Sequence, residues 1–204
     1  ASQVQGDFQS DGRWQVRLES LTVDRLRPDR ELLQALPERL RRVVTELNAT
    51  GSVNLAGTVD LENSGRLGDP LRSRWEVRVG LHQNNIDCHG LRLNNLCGEL
   101  SLQGGFDGAN VRSRGELALD SVTHRDIQLT RVMGPIWIDD GRLLFGAWVD
   151  RQDNRMAAGP GPGRMPRPVT ASLYGGTLYG DGWVAFGQQP RYCVNATLTD
   201  ADLA

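Results

Sequence analysis

The sequence predicts a mainly β protein built as one antiparallel sheet, and three observations carry that reading. Six short runs share the shape glycine, any residue, apolar, any residue, apolar: they begin at Gly51, Gly57, Gly98, Gly115, Gly141 and Gly182. Period-two alternation of this kind puts the apolar residues on one face of a strand. Further runs alternate without the glycine, as in Trp14, Val16, Leu18 and in Trp75, Val77, Val79, Leu81. Asp-Gly pairs at Asp11-Gly12, Asp107-Gly108, Asp140-Gly141 and Asp181-Gly182 supply turn signals between the runs. Short strands and turns at regular spacing make an antiparallel meander.

The leading glycine of each run marks a turn exit or a bulge, where positive φ or close backbone approach is tolerated. One segment has another period. Between about 29 and 48, Leu32, Leu33, Leu36, Leu40, Val43, Val44 and Leu47 recur at helical spacing. Asp29 is its N-cap, and Pro37 starts a second helix or kinks a single one. This amphipathic segment is expected to lay its apolar face on the sheet. Arg39, Arg41 and Arg42 suggest a membrane-surface helix instead, but Glu31, Glu38 and Glu46 dilute that charge. Residues 150–168 alternate Gly with Pro and read as a mobile loop. A phosphate-binding loop needs backbone N–H groups that these prolines lack.

At 204 residues the chain can bury a core. A net charge of -2 argues against nucleic-acid binding, although every basic residue is arginine. No apolar run reaches the ~20 residues of a membrane-spanning helix. The start at Ala1 without a methionine fits a fragment or a processed chain. The run from Trp14 to Leu26 resembles that from Tyr192 to Leu203, so residues 1–204 read as one β-rich repeat unit of a longer protein, with the start of a next unit at 190–204.

No chemistry emerges from the polar residues. His82, Cys88, His89 and Cys97 are the only cluster of soft ligands, and their spacing matches no zinc pattern. Surface histidines explain them better, so neither a metal nor a cofactor is expected. Cys88 and Cys97 flank a turn-like stretch; they are either disulfide partners or two small half-buried residues. No serine lies in a nucleophile elbow. Asp139 and Asp140 are adjacent and point to opposite faces of a strand, so they make no carboxylate pair for acid–base work.

Three stretches give the chain a resemblance. They are Leu33-Gln-Ala-Leu-Pro-Glu-Arg-Leu-Arg-Arg followed by Gly51-Ser-Val-Asn-Leu55, then Leu93-Asn-Asn-Leu-Cys-Gly-Glu-Leu-Ser-Leu102, then Ala171-Ser-Leu-Tyr-Gly-Gly-Thr-Leu-Tyr-Gly-Asp-Gly-Trp183. In order and character they resemble the AsmA/TamB-like proteins of bacterial envelopes, especially the long AsmA-like sequences of planctomycete type. The Gly-Pro loop departs from that pattern. The resemblance implies an antiparallel sheet curled lengthwise into an open β-groove, apolar inside and polar outside. It further implies a non-enzymatic role in phospholipid transport or outer-membrane assembly. The partners would be phospholipid acyl chains, neighbouring repeat units of the same chain and envelope membrane proteins. The place would be the periplasm, with the full-length protein anchored in the inner membrane.

The residues agree on the physics. A one-sided sheet must cover its apolar face, and one helical segment cannot cover so many strands. Val53, Leu55, Val59, Leu61, Trp75, Val77, Val79, Leu81, Leu100, Leu102, Leu117 and Leu119 are the candidates for a continuous groove lining. The rival reading is a structural β-sandwich module (a stalk, adhesin or protein-interaction domain) with a closed core. A carbohydrate-processing enzyme would need a paired-carboxylate cleft, which the sequence lacks.

Overall fold

A computed structural model of the chain describes residues 3–35, 38–66, 68–88, 90–139, 141–149, 167–186 and 191–202. The Gly-Pro stretch therefore lies almost wholly outside the described residues. The strands are β1 (Gln3–Phe8), β2 (Trp14–Leu26), β3 (Thr50–Asn63), β4 (Arg72–Cys88), β5 (Leu91–Phe106), β6 (Val111–His124), β7 (Ile127–Asp139), β8 (Arg142–Phe145), β9 (Val169–Leu173), β10 (Gly176–Ala185) and β11 (Arg191–Thr199). All belong to one antiparallel sheet whose order follows the chain from β1 to β11. The mainly β, antiparallel prediction holds.

Turn chemistry sets the hairpins. Asp107 Oδ1 accepts from the N–H groups of Ala109 (2.9 Å) and Asn110 (2.7 Å), closing β5 on β6. Arg125 and Asp126 join β6 to β7, and Tyr174 and Gly175 join β9 to β10, all four with positive φ. That is what a two-residue type I′ turn requires, and its twist matches the strands. Asp181-Gly182 is the exception among the turn signals. It lies inside β10, where Asp181 accepts from Asn195 Nδ2 on β11 at 3.2 Å. Both dipeptide residues are held by the ladder, so the local turn preference loses to the pairing.

The helical segment forms α1 (Arg30–Ala35) and α2 (Glu38–Leu47), on either side of Pro37. Asp29 caps α1 as expected: the Leu32 N–H donates to its Oδ1 at 3.0 Å. The helices link the end of β2 to the start of β3, and α2 meets the sheet at β4. Arg41 is exposed, as is Arg42, which pairs with Glu38 one turn back at 3.3 Å.

Position eight of the sheet is shared. β8 pairs with the second half of β7, from Ile136 to Asp139, and β9 pairs with Thr130 and Met133 on its first half. β10 likewise pairs with β9 through Gly176–Gly180 and with β8 through Gly182–Ala185. β8 and β9 are two halves of one strand, and the chain leaves at Gly146 and returns at Val169. Opposite the break stands Pro135, in the middle of a central strand. Its carbonyl accepts from the Gly146 N–H at 3.0 Å. A proline there forfeits one ladder bond, and the break removes the strand that would have taken it.

Irregularities in the ladder align across β3 to β7. They fall at Thr50/Ser52, Leu81/Asn84, Asn94/Cys97 and Cys97/Gly98, and Gln83, Asn95 and Arg131 on this line have positive φ. Bulges bend a strand and sharpen its twist. They also reset alternation. Leu119 and Val122 would point to opposite faces of a regular strand, yet both join one buried cluster with Leu96, Val132 and Ala171. This is where the core of the sheet sits, on β5, β6, β7 and β9.

Candidate functional site: the apolar face of the curled sheet

Cross-strand partners in an antiparallel ladder share a face, so the register assembles the candidate lining row by row. Val23, Leu55, Val79, Leu100 and Leu117 form one row. Leu26, Val53, Leu81, Gly98, Leu119 and Val132 form the next. On the other side run Leu21, Gly57, Val77, Leu102, Gly115, Ile136 and Phe145, then Leu18, Val59, Trp75, Gly104, Ser113, Ile138 and Leu143. Val16, Leu61, Ser73, Phe106 and Val111 make a last row. All twelve candidates stand on this face, and no row contains a charged residue.

The rows also contain residues outside the twelve candidates. Val16, Leu18, Leu21 and Val23 of β2 continue the face on one side, and Ile136, Ile138, Leu143 and Phe145 continue it on the other. Their alternation was visible in the sequence. What was missing was the register, which alone says which strands share a row.

Exposure divides the twelve. Leu119 is buried, at 8%, while the other eleven are half-buried. Leu81, Leu100, Leu117 and Leu119 belong to the closed core beyond or beside the line of bulges. Val53, Leu55, Val59, Leu61, Trp75, Val77, Val79 and Leu102 lie outside that cluster and form the open part of the face. The helices stand at the other end: Glu46 of α2 acts electrostatically on Cys88, at the end of β4.

Close approach fixes one run-leading glycine. Gly115 has no room for a side chain, since a Cβ there would come within 1.9 Å of the Ser101 carbonyl oxygen on β5. It is a strand-interior residue of β6, placed by close backbone approach.

The opposite face carries a charged row, although Trp137, Leu144 and Trp183 also stand on it at β7, β8 and β10. Arg17, Asp60, Arg74, Gly105, Arg112, Asp139 and Arg142 line up across it. Arg17 Nε donates to Asp60 at 2.6 Å, which holds the Asp60 carboxyl below its ordinary range. Asp139 takes Arg142 at 2.9 Å and Arg112 at 3.7 Å.

The soft-ligand residues do not converge. His82 is exposed and hydrogen-bonds Asn54 at 3.1 Å; His89 lies outside the described residues. Cys88 and Cys97 are both free thiols. Cys88 sits opposite Leu91 while Leu96 sits opposite Asn84, so the two cysteines are separated by about four residues of strand, roughly 13 Å. That excludes the disulfide. Among the described residues no group of three or more His, Cys, Asp or Glu could hold a metal ion. No described helix is long and apolar enough to cross a membrane. Comparison with protein-family models, with curated proteins and with solved structures gives no match for this chain.

Proposed function

We propose that this chain is a non-enzymatic, lipid-handling segment whose concave face takes the acyl chains of phospholipids. One observation carries the reading: five cross-strand rows without a charged residue, whose open part, Val53 to Leu61 on β3 and Trp75 to Val79 on β4, stays half-exposed. Apolar surface of that extent seeks a cover. Each methylene removed from water there contributes about 0.8 kcal/mol, and a surface without charged residues selects chains mainly by shape. The resemblance to AsmA/TamB-like envelope proteins supports the same role. It adds the expectations of phospholipid transport or outer-membrane assembly, of a periplasmic location, of an inner-membrane anchor and of neighbouring units that prolong the groove.

The rival, a structural module with a sealed core, draws on the buried cluster around Leu96 and Val122. The two readings part at Val77. A photoreactive amino acid placed at Val77 or Val79 should give phospholipid adducts detectable by mass spectrometry, and Val77→Asp should abolish them while the protein stays folded. Absence of lipid adducts, together with global unfolding of Val77→Asp, decides for the sealed module, because a buried unpaired carboxylate costs several kcal/mol.

A further inference from the structure

Of the side chains in the five cross-strand rows, three can hydrogen-bond, and the three stand together. Ser73 and Trp75 lie two apart on β4, and Ser113 shares a row with Trp75 across Gly104. The rows through Val77, Val79 and Leu81 carry no hydrogen-bonding side chain. Polarity is therefore graded along β4: Ser73 and Trp75 come first, then Val77 and Val79, then Leu81 against the buried core.

The bonds in this group are unequal. Ser113 is buried, at 4%; its hydroxyl donates to the Gln103 carbonyl at 3.2 Å and accepts from Trp75 Nε1 at 3.3 Å. That second bond is longer than the usual range of about 2.7–3.2 Å. The indole is a donor only. When it turns to another acceptor, Ser113 keeps its bond to Gln103 and Trp75 needs only the new partner. Trp75 is half-buried, so the ring borders the open part of the face. Gly104 between the two residues, and Gly115 two residues along β6 from Ser113, leave the face there without side chains.

We propose that Trp75 registers a bound phospholipid: its indole N–H leaves Ser113 and donates to the carbonyl of an acyl ester, with the chain laid over Val77 and Val79 toward the core. The inference rests on the lipid-handling reading and adds which end of the ligand is recognised, and by which residue. An ester carbonyl accepts without donating, so the exchange leaves no buried hydrogen-bonding group unpaired. The rows hold no cation, so a neutral ester fits where the ionised carboxylate of a free fatty acid would be desolvated without a partner. Ser73, on the headgroup side of Trp75, then stands beside the glycerol.

The test compares a short-chain diacyl phosphatidylcholine with its dialkyl ether, matched in chain length, in titrations of the full chain. The ester should bind about fivefold more tightly, the contribution of one hydrogen bond. The indole N–H resonance of Trp75, identified by its loss in Trp75→Phe, should move on adding the ester and stay nearly in place with the ether. In Trp75→Phe the ester should fall to the affinity of the ether. Ser113→Ala frees the indole from its resting acceptor and should tighten ester binding, which loss of a purely structural bond would not do. Circular dichroism checks that each variant keeps its sheet, and the comparison of ester with ether in the unaltered protein needs no variant. Equal affinity for the two overturns the proposal and leaves the lipid-handling reading standing. So does an ester preference that survives Trp75→Phe. Binding of neither lipid overturns both.

Discussion

Trp75 on β4 and Ser113 on β6 are joined by a hydrogen bond that passes over the strand between them: the indole Nε1 donates to Ser113 Oγ at 3.3 Å. The residue beneath is Gly104, in register with both. Ser113 is buried and in turn donates to the Gln103 carbonyl at 3.2 Å. The ring thus lies along the floor of the concave face.

Gly104→Val should break this arrangement. Its Cβ would come within 2.2 Å of the Arg112 carbonyl oxygen and 2.7 Å of the Ser113 Cα, which are backbone atoms and cannot swing away. Forced overpacking costs about 1–3 kcal/mol. Denaturant unfolding should show that loss. Trp75→Phe, which deletes only the hydrogen bond and part of the ring, should cost about 1 kcal/mol.

Truncations should separate the closed core from the open face. Leu96→Ala removes a buried side chain of the core and should cost about 2–5 kcal/mol. Val77→Ala, on the half-exposed part, removes two methylene-sized groups that are only half hidden, about 0.8 kcal/mol. Equal losses in a urea titration would mean that the face is sealed.

The Arg17–Asp60 pair predicts an acid response. Hydrogen bonding to Arg17 lowers the folded-state pKa of Asp60 below its unfolded value of about 3.9. The pair's contribution is therefore complete above that unfolded value and fades as pH falls through the lower folded value. Asp60→Asn should flatten this part of the stability profile below pH 4 and leave its shape near neutrality unchanged. The pair is partly exposed, so the effect is small and salt weakens it.

Cys88 should be the slowest of the three thiols. Burial pushes its pKa up, helped by the nearby charges of Glu46 and Asp87, so little thiolate forms. A colorimetric thiol reagent at mildly alkaline pH should label Cys97 and Cys193 first and Cys88 only on unfolding. Rapid reaction of all three would mean that the end of β4 is open.

Replacing residues 150–166 with a short Gly-Ser linker should leave the melting temperature within a few degrees. β8 and β9 already complete their pairings with β7 and β10 on both sides of that stretch. A large drop would assign the stretch a packing role.

Much of this fold was legible in the sequence, for a physical reason. Strand alternation and the Asp29 cap depend on neighbours a few residues away, and so did the helical spacing of the segment that holds α1 and α2. The twelve candidates fall on one face because side chains two apart on a strand share a face whatever the strand pairs with. The line of bulges was not legible. A bulge is a relation between two strands, and nothing local to Gln83 or Asn95 announces it. Hence Leu81, Leu100, Leu117 and Leu119 looked no different from Val77, although Leu119 is buried in the core and the other three pack against it. Asp181-Gly182 failed in the opposite sense, because a local turn signal was overruled by pairing. The Gly134-Pro135 pair was the overlooked clue: a proline inside a strong strand pattern calls for an interrupted neighbour.

Because strand order follows chain order, almost every contact in this sheet forms between segments that are already consecutive. Assembly can then spread from hairpin to hairpin, most steps closing only a short loop, the links from β2 to β3 and from β8 to β9 being longer. Disassembly should run the other way, with backbone amides exchanging first in β1 and β11 and last around β5 and β6. Energetically such a sheet is nearly one-dimensional. Its length is an adjustable quantity: removing one whole hairpin, such as β5 with β6, keeps every remaining direction and face consistent, whereas removing a single strand reverses all that follow.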